Sequence, residues 1–128
     1  MIVVDASAVV AMLNREPGVE ALAKRLLQDA DRRISPISSV EVVMALARKY
    51  PDPTQVADTY FRQESILILP IDEDQATWAR HAFLNYGKGR HAARLNLGDC
   101  FSYAAAKALN APLLYVGDDF ARTDIRAA

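Results

Sequence analysis

The chain opens Met1-Ile2-Val3-Val4-Asp5-Ala6-Ser7. Successive side chains of a strand point to opposite faces, so Ile2, Val3 and Val4 together need cover on both sides of a sheet. That predicts a short central strand, ended by the carboxylate of Asp5. A helix from about Ser7 to Asn14 follows. The same alternation of short β-rich runs with helical segments recurs along the chain, the signature of an α/β fold with a parallel sheet.

Working outward, Val19, Leu22, Ala23, Leu26 and Leu27 fall at helical spacing and define a second helix. Arg33 to Ile37 reads as a weak second strand. Val40, Val43, Met44 and Ala47 predict a third helix ending near Tyr50-Pro51, because a residue before proline avoids the helical region. Asp52-Pro53 is an N-cap with proline at the first helical position, and Val56, Ala57, Tyr60 and Phe61 give that fourth helix one apolar face. Ile66 to Ile71 is the third strand. Asp72-Glu73-Asp74 opens a helix that runs past Trp78 to about Tyr86, where Gly87 and Gly89 break it. Phe101, Ala104, Ala105 and Ala108 mark a sixth helix, with Asn110 as a left-handed C-cap. Leu113 to Val116 is the fourth strand, and a short fifth is expected after Thr123.

With 128 residues the chain fits one domain, residues 1–128, able to bury a core without disulfides. Its 52% hydrophobic and 24% charged content is that of an ordinary globular protein. No apolar run approaches the roughly 20 residues that cross a bilayer. The first residues lack the basic region and cleavage site of a signal peptide, so a cytoplasmic location without membrane contact is expected. Cys100 is the sole cysteine, which excludes an internal disulfide, and it reads as a small packing residue. A net charge of -1 gives no global pull toward nucleic acid, so any polyanion must be drawn by local basic patches or by metal ions.

Four acids fall at one edge of such a sheet. In a parallel sheet, ligands bind where loops leave the C-terminal ends of the strands. Asp5 ends the first strand, Glu41 lies in the first turn after the second, and Asp118 and Asp119 follow the fourth. Asp99 joins them because a helix feeding a parallel strand starts at that same edge. Each has a local explanation: Ser38-Ser39-Val40-Glu41 reads as a capping box, Asn96-Leu97-Gly98-Asp99 as another cap, and Asp5 as the cap of the first helix. If strands one, two and four are neighbours, however, these carboxylates converge, repel and raise one another's pKa values. Such a cluster calls for a cation, and oxygen-only ligands favour Mg²⁺ or Mn²⁺. Asp72-Glu73-Asp74 is assigned to helix capping and left outside the site.

These residues resemble, in order, the motifs of the PIN-domain ribonucleases, and particularly the VapC toxins of prokaryotic toxin-antitoxin pairs. The likeness is carried by Val3-Val4-Asp5-Ala6-Ser7-Ala8, Ser38-Ser39-Val40-Glu41, Leu95 to Phe101, and Gly117-Asp118-Asp119-Phe120. It implies a three-layer α/β/α sandwich around a parallel sheet of four to five strands in the order 3-2-1-4-5. It also implies a Mg²⁺- or Mn²⁺-dependent endoribonuclease in which Asp5, Glu41 and Asp99 are metal-site carboxylates. The fourth acid maps to the Asp118-Asp119 pair, the family's Gly-x-Asp-Phe pattern favouring Asp119, and Ser7 matches a hydroxyl that orders the site. An RNA substrate, a VapB-like antitoxin and a homodimer are the partners it implies.

The chemistry expected is metal-assisted hydrolysis of an RNA phosphodiester. Asp5 and Asp99 are then the principal ligands, with Asp119 or Glu41 holding a second ion or waters, or taking a proton. Lys88, Arg90, His91 and Arg94 form a basic loop leading to Asp99, suited to gripping a phosphate backbone or merely solvated. Two other classes fit the residues less well. Phosphatases with an aspartate nucleophile want Asp-x-Asp, which Asp5-Ala6-Ser7 lacks. A non-catalytic, Mg²⁺-binding regulatory or partner-binding domain would want a lysine after a late strand, and none follows the fourth.

Overall fold

The structure, a computed structural model, describes all 128 residues. Its sheet has four parallel strands, β1 (Ile2–Val4), β2 (Arg32–Ile34), β3 (Ile66–Ile68) and β4 (Leu113–Leu114), in the order β3-β2-β1-β4. Leu113 also bridges Ala127 in parallel, so the fifth strand is reduced to one residue pair on the outer edge of β4. The helices are α1 (Ala6–Leu13), α2 (Val19–Leu27), α3 (Pro36–Leu46), α4 (Pro53–Gln63), α5 (Glu73–Tyr86) and α6 (Leu97–Leu109).

β1 is the central element that its apolar run predicts. Ile2 and Val4 face a cluster with Val9, Leu26, Ile34, Val42, Leu46, Phe61 and Ile66, contributed by α1 to α4 and the neighbouring strands. Val3 faces the opposite cluster, with Ala79 and Ala82 of α5 and Cys100, Tyr103 and Ala104 of α6. These two apolar layers make the three-layer sandwich. Phe61 is buried, and the Tyr60 hydroxyl reaches the Met12 sulfur at 3.3 Å, so the apolar face of α4 serves the core.

The strands are shorter than the sequence pattern predicts, each for a local reason. β2 stops at Ile34 because Ser35 caps α3, its hydroxyl accepting from the Ile37 N–H, and Pro36 takes the first helical position. The third helix therefore starts earlier than expected, and Ser38 lies inside it rather than capping it. β3 ends at Ile68: Leu69 still donates to Ile34, but Pro70 has no N–H to continue the ladder. Beyond Leu114 the chain peels away, and the Val116 N–H bonds the Ser7 hydroxyl instead of a strand. Elsewhere the capping signals act as read: Asp52 and Asp72 accept from the N–H groups of Gln55 and Gln75, and Asn110 adopts φ 49°.

Leu26 is the one buried residue of α2. Leu26→Ala is expected to cost about 2–5 kcal/mol, the range for emptying a well-packed leucine site. Urea unfolding followed by circular dichroism measures it, and a loss under about 1 kcal/mol would contradict the placement of α2.

Candidate active site

The end of β1 sets the site. Asp5 has extended backbone and caps α1, and its side chain is buried at 4% exposure. One carboxylate oxygen, Oδ2, accepts from the Ser7 N–H at 3.0 Å and the Ser7 hydroxyl at 2.6 Å. The other, Oδ1, accepts from the Ser102 hydroxyl at 2.6 Å and keeps a lone pair free. Ser7 Oγ in turn accepts from the Val116 N–H at 3.0 Å, tying the chain after β4 to the start of α1. Capping and site building are thus two uses of one carboxylate.

Asp99 stands in the first turn of α6 in a reciprocal capping box. Its N–H donates to Asn96 Oδ1 at 2.9 Å, and its Oδ2 accepts from the Asn96 N–H at 3.1 Å. Burial pushes the Asp99 carboxyl up to about 6; the Asn96 hydrogen bond opposes the rise, and the charges of Asp5 and Asp119 add to it. Glu41, on α3, is pushed up to about 7, first by burial and then by the charges of Asp5 and Asp99. Four acids therefore share one field, the charge of Asp119 reaching Asp99 across this edge. Asp118 and Asp119 lie beyond β4 in a bend entered through Gly117, whose φ of 106° suits glycine, and anchored by buried Phe120. Their facing is thus set by this turn and not by strand alternation.

Gly98 explains how α3 and α6 come so close. A Cβ on Gly98 would lie 2.5 Å from Oε2 of Glu41 and nearer still to its other carboxyl atoms. The glutamate lies directly on the glycine.

No cation of the chain answers these charges. The four ion pairs use Asp29, Asp31 and Asp124 as their acids, all outside the site. No three His, Cys, Asp or Glu side chains converge to metal-binding distance as they stand. The donor set fits a hard cation: it is all oxygen, partly buried, carries raised pKa values and retains a free lone pair on Asp5.

The family model described as "PIN domain" matches residues 2–126. A protein named Ribonuclease VapC from Mycolicibacterium smegmatis is 41% identical over 98% of this chain and 98% of its own length. Ribonuclease VapC30 from Mycobacterium tuberculosis is 40% identical over 96% and 95%. The chain belongs to the PIN-domain family, among its VapC ribonucleases. Solved structures agree in fold: VapC20 of Mycobacterium tuberculosis, described as a sarcin-ricin loop cleaving toxin, superposes with TM-score 0.77 at 17% identity, covering 100% of this chain and 98% of that one. A toxin-antitoxin complex from Klebsiella pneumoniae gives TM-score 0.71 at 19% identity, covering 97% and 93%.

For a PIN-domain ribonuclease the basic residues matter next. Arg90 donates from Nε to the Leu84 carbonyl at 3.1 Å and lies 5.7 Å over the Phe83 ring. His91 accepts the Ala93 N–H on Nδ1 at 3.0 Å and stands edge-on to Tyr86. Arg94 is exposed, at φ 57°. Arg90 and His91 thus brace their own loop. A cavity of about 910 Å³ lies between α5 and α6 and contains none of the four acids. A smaller groove of about 560 Å³ does reach the site: Glu41 lines it, with Asn14, Arg48 and Lys49. Neither Arg48 nor Lys49 has an ion-pair partner. Sequence reading passed over both, which lie in the turn just after α3. It also passed over Ser102 and the buried side of Ser38. Cys100 is inert packing, its thiol pushed up to about 11 by burial.

Two outcomes follow from the crowding of Glu41. Gly98→Ala should displace the glutamate and depress activity while the fold survives, as circular dichroism would verify; full activity would contradict the contact. The second concerns pH. Glu41 and Asp99 hold protons more tightly folded than unfolded, so their charge costs nothing below the ordinary values of 4.5 and 3.8. Between those values and the folded-state values of about 7 and 6 the unfolded chain gives up these protons first, so stability falls across that interval and the loss is constant above it. In chelator at pH 8, Glu41→Gln should therefore melt above the parent, and the difference should vanish at pH 4.

Proposed function

We propose that this chain is the ribonuclease toxin of a toxin-antitoxin pair, a single PIN domain over residues 1–128 that hydrolyses RNA phosphodiesters with Mg²⁺ or Mn²⁺. The observation that carries the reading is the set of acids at one sheet edge, two with raised pKa values, that no side-chain cation neutralises. Asp5, Asp99 and Asp119 are the residues to hold the ion. A divalent cation there supplies a Lewis acid that polarises the phosphoryl oxygen and acidifies water.

The chain's own groups do the rest. Ser7 fixes the Asp5 carboxylate and, through Val116, the approach of the loop that carries Asp118 and Asp119. Glu41, beside Asp5 and Asp99, is the acid assigned to accept a proton, the role of a general base. Asp118, the residue before Asp119, is assigned as an auxiliary acid. Arg48 and Lys49 hold the RNA backbone in the groove that reaches Glu41, and Arg94 with the loop of Arg90 and His91 provides a second basic approach.

A VapB-like antitoxin and a second copy of the chain complete the proposal. Phe83, Leu84 and Leu97 are exposed apolar side chains on α5 and α6 beside the start of the Asp99 helix, and they offer a protein partner a surface. No helix is long and apolar enough to cross a membrane, and action in the cytoplasm, where the RNA lies, belongs to the same reading.

Cleavage of total RNA by the purified chain tests it. Mn²⁺ or Mg²⁺ should support cleavage and chelation abolish it. Asp5→Asn and Asp99→Asn should fall to background, and Glu41→Gln by about 10²–10⁴-fold. Undiminished cleavage by folded Asp5→Asn would sink the assignment. In that inactive background, Arg48→Ala with Lys49→Ala should lower the salt slope of RNA binding by about 1.4, at about 0.7 for each single-strand phosphate that is no longer neutralised.

A further inference from the structure

The acids of the site are carried by different elements, and something must hold those elements in register. Ser102 is fully buried and its hydroxyl donates to Asp5 Oδ1 at 2.6 Å. Ser38 is also fully buried and its hydroxyl lies 2.8 Å from Ser102 Oγ. A serine hydroxyl has a single hydrogen, and that of Ser102 is committed to Asp5, so Ser38 is the donor to Ser102. The chain of hydrogen bonds therefore runs one way, from Ser38 through Ser102 to Asp5.

Position along the helices gives this chain its meaning. Ser38 precedes Glu41 by three residues on α3, and Ser102 follows Asp99 by three on α6. Residues three apart on a helix share a side. Each acid-bearing helix thus presents one buried hydroxyl a turn away from its acid, and the two hydroxyls meet over the β1 carboxylate. About one turn away along both helices, Gly98 lets Glu41 rest against α6.

We propose that Ser38 and Ser102 are positioning residues for the cation: their directed hydrogen bonds lock the Asp5 carboxylate and hold α3 against α6. The inference rests on the metal-dependent reading above and extends it to residues outside the acid set. Partners that orient a ligand carboxylate from behind commonly alter metal affinity by about 10–100-fold when removed.

Mn²⁺ binding by the purified chain, followed by the loss of the free-ion paramagnetic resonance signal without RNA, tests the proposal together with thermal melting. Ser102→Ala removes the donor to Asp5 and leaves the Ser38 hydroxyl buried without an acceptor. It should bind Mn²⁺ at least about tenfold more weakly and melt lower. In the double variant Ser38→Ala, Ser102→Ala no donor is orphaned, so the melting temperature should recover toward the parent. Its Mn²⁺ affinity should stay low, because Asp5 still lacks its donor. Affinity that recovers along with melting temperature would reduce the serines to a structural role and overturn the proposal. So would parental affinity in folded Ser102→Ala. A parent that binds neither Mn²⁺ nor Mg²⁺ would instead overturn the metal reading itself, and this inference with it.

Discussion

Repulsion among carboxylates at one edge of the sheet is the constraint on which the site depends. Burial raises the proton affinity of Glu41 and Asp99, and neighbouring acids raise it further. The fold offers only weak relief. Asp5 and Asp99 both stand at helix N-termini, where the helix dipole is worth roughly 0.3–1 kcal/mol to an anion. None of the four ion pairs involves these acids; their acids are Asp29, Asp31 and Asp124. A carboxylate cluster in this condition has a use for an external cation, since the mutual repulsion that destabilises the charged acids also favours binding a cation among them.

The topology makes the imbalance unavoidable. Placing β1 between β2 and β4 brings the end of β1 beside the helix that follows β2 and the loop that follows β4. α6 runs back so that its first turn returns to the same edge. Small residues then decide how closely these pieces approach: Gly98 accepts the Glu41 side chain, and serines fill the space around Asp5 with hydroxyls in place of methyl groups. The core on either side of β1 supplies a rigid support, and the polar contacts supply the orientation.

Much of this was legible in the sequence because it is local. Ile2, Val3 and Val4 announce a strand covered on both faces, Asn96 and Asp99 announce a helix start, and Asn110 announces its end. The acids themselves could be placed at one edge from strand and helix order alone. Where the pattern misled, a nearby residue competed: Pro36 and Ser35 began α3 earlier than Ser38 suggested, and Pro70 ended β3 before Ile71. The remaining contacts were out of reach because they join distant residues. Ser38 meets Ser102 across 64 positions, Ser102 meets Asp5 across 97, and Val116 meets Ser7 across 109. No spacing rule connects such pairs. In the loop of Arg90 and His91, composition allowed a phosphate grip or a solvated turn, and the structure adds that each side chain also makes a hydrogen bond within its own loop region.

Raised proton affinity at this edge and cation binding are two expressions of one field, so a cation must displace protons. Calorimetric titration with Mg²⁺ in buffers of different ionisation enthalpy counts those protons directly. The prediction is measurable proton release near pH 6.5, between the values of about 6 and 7 for Asp99 and Glu41, that disappears by pH 8.5. Mg²⁺ binding with no proton release at pH 6.5 would contradict it.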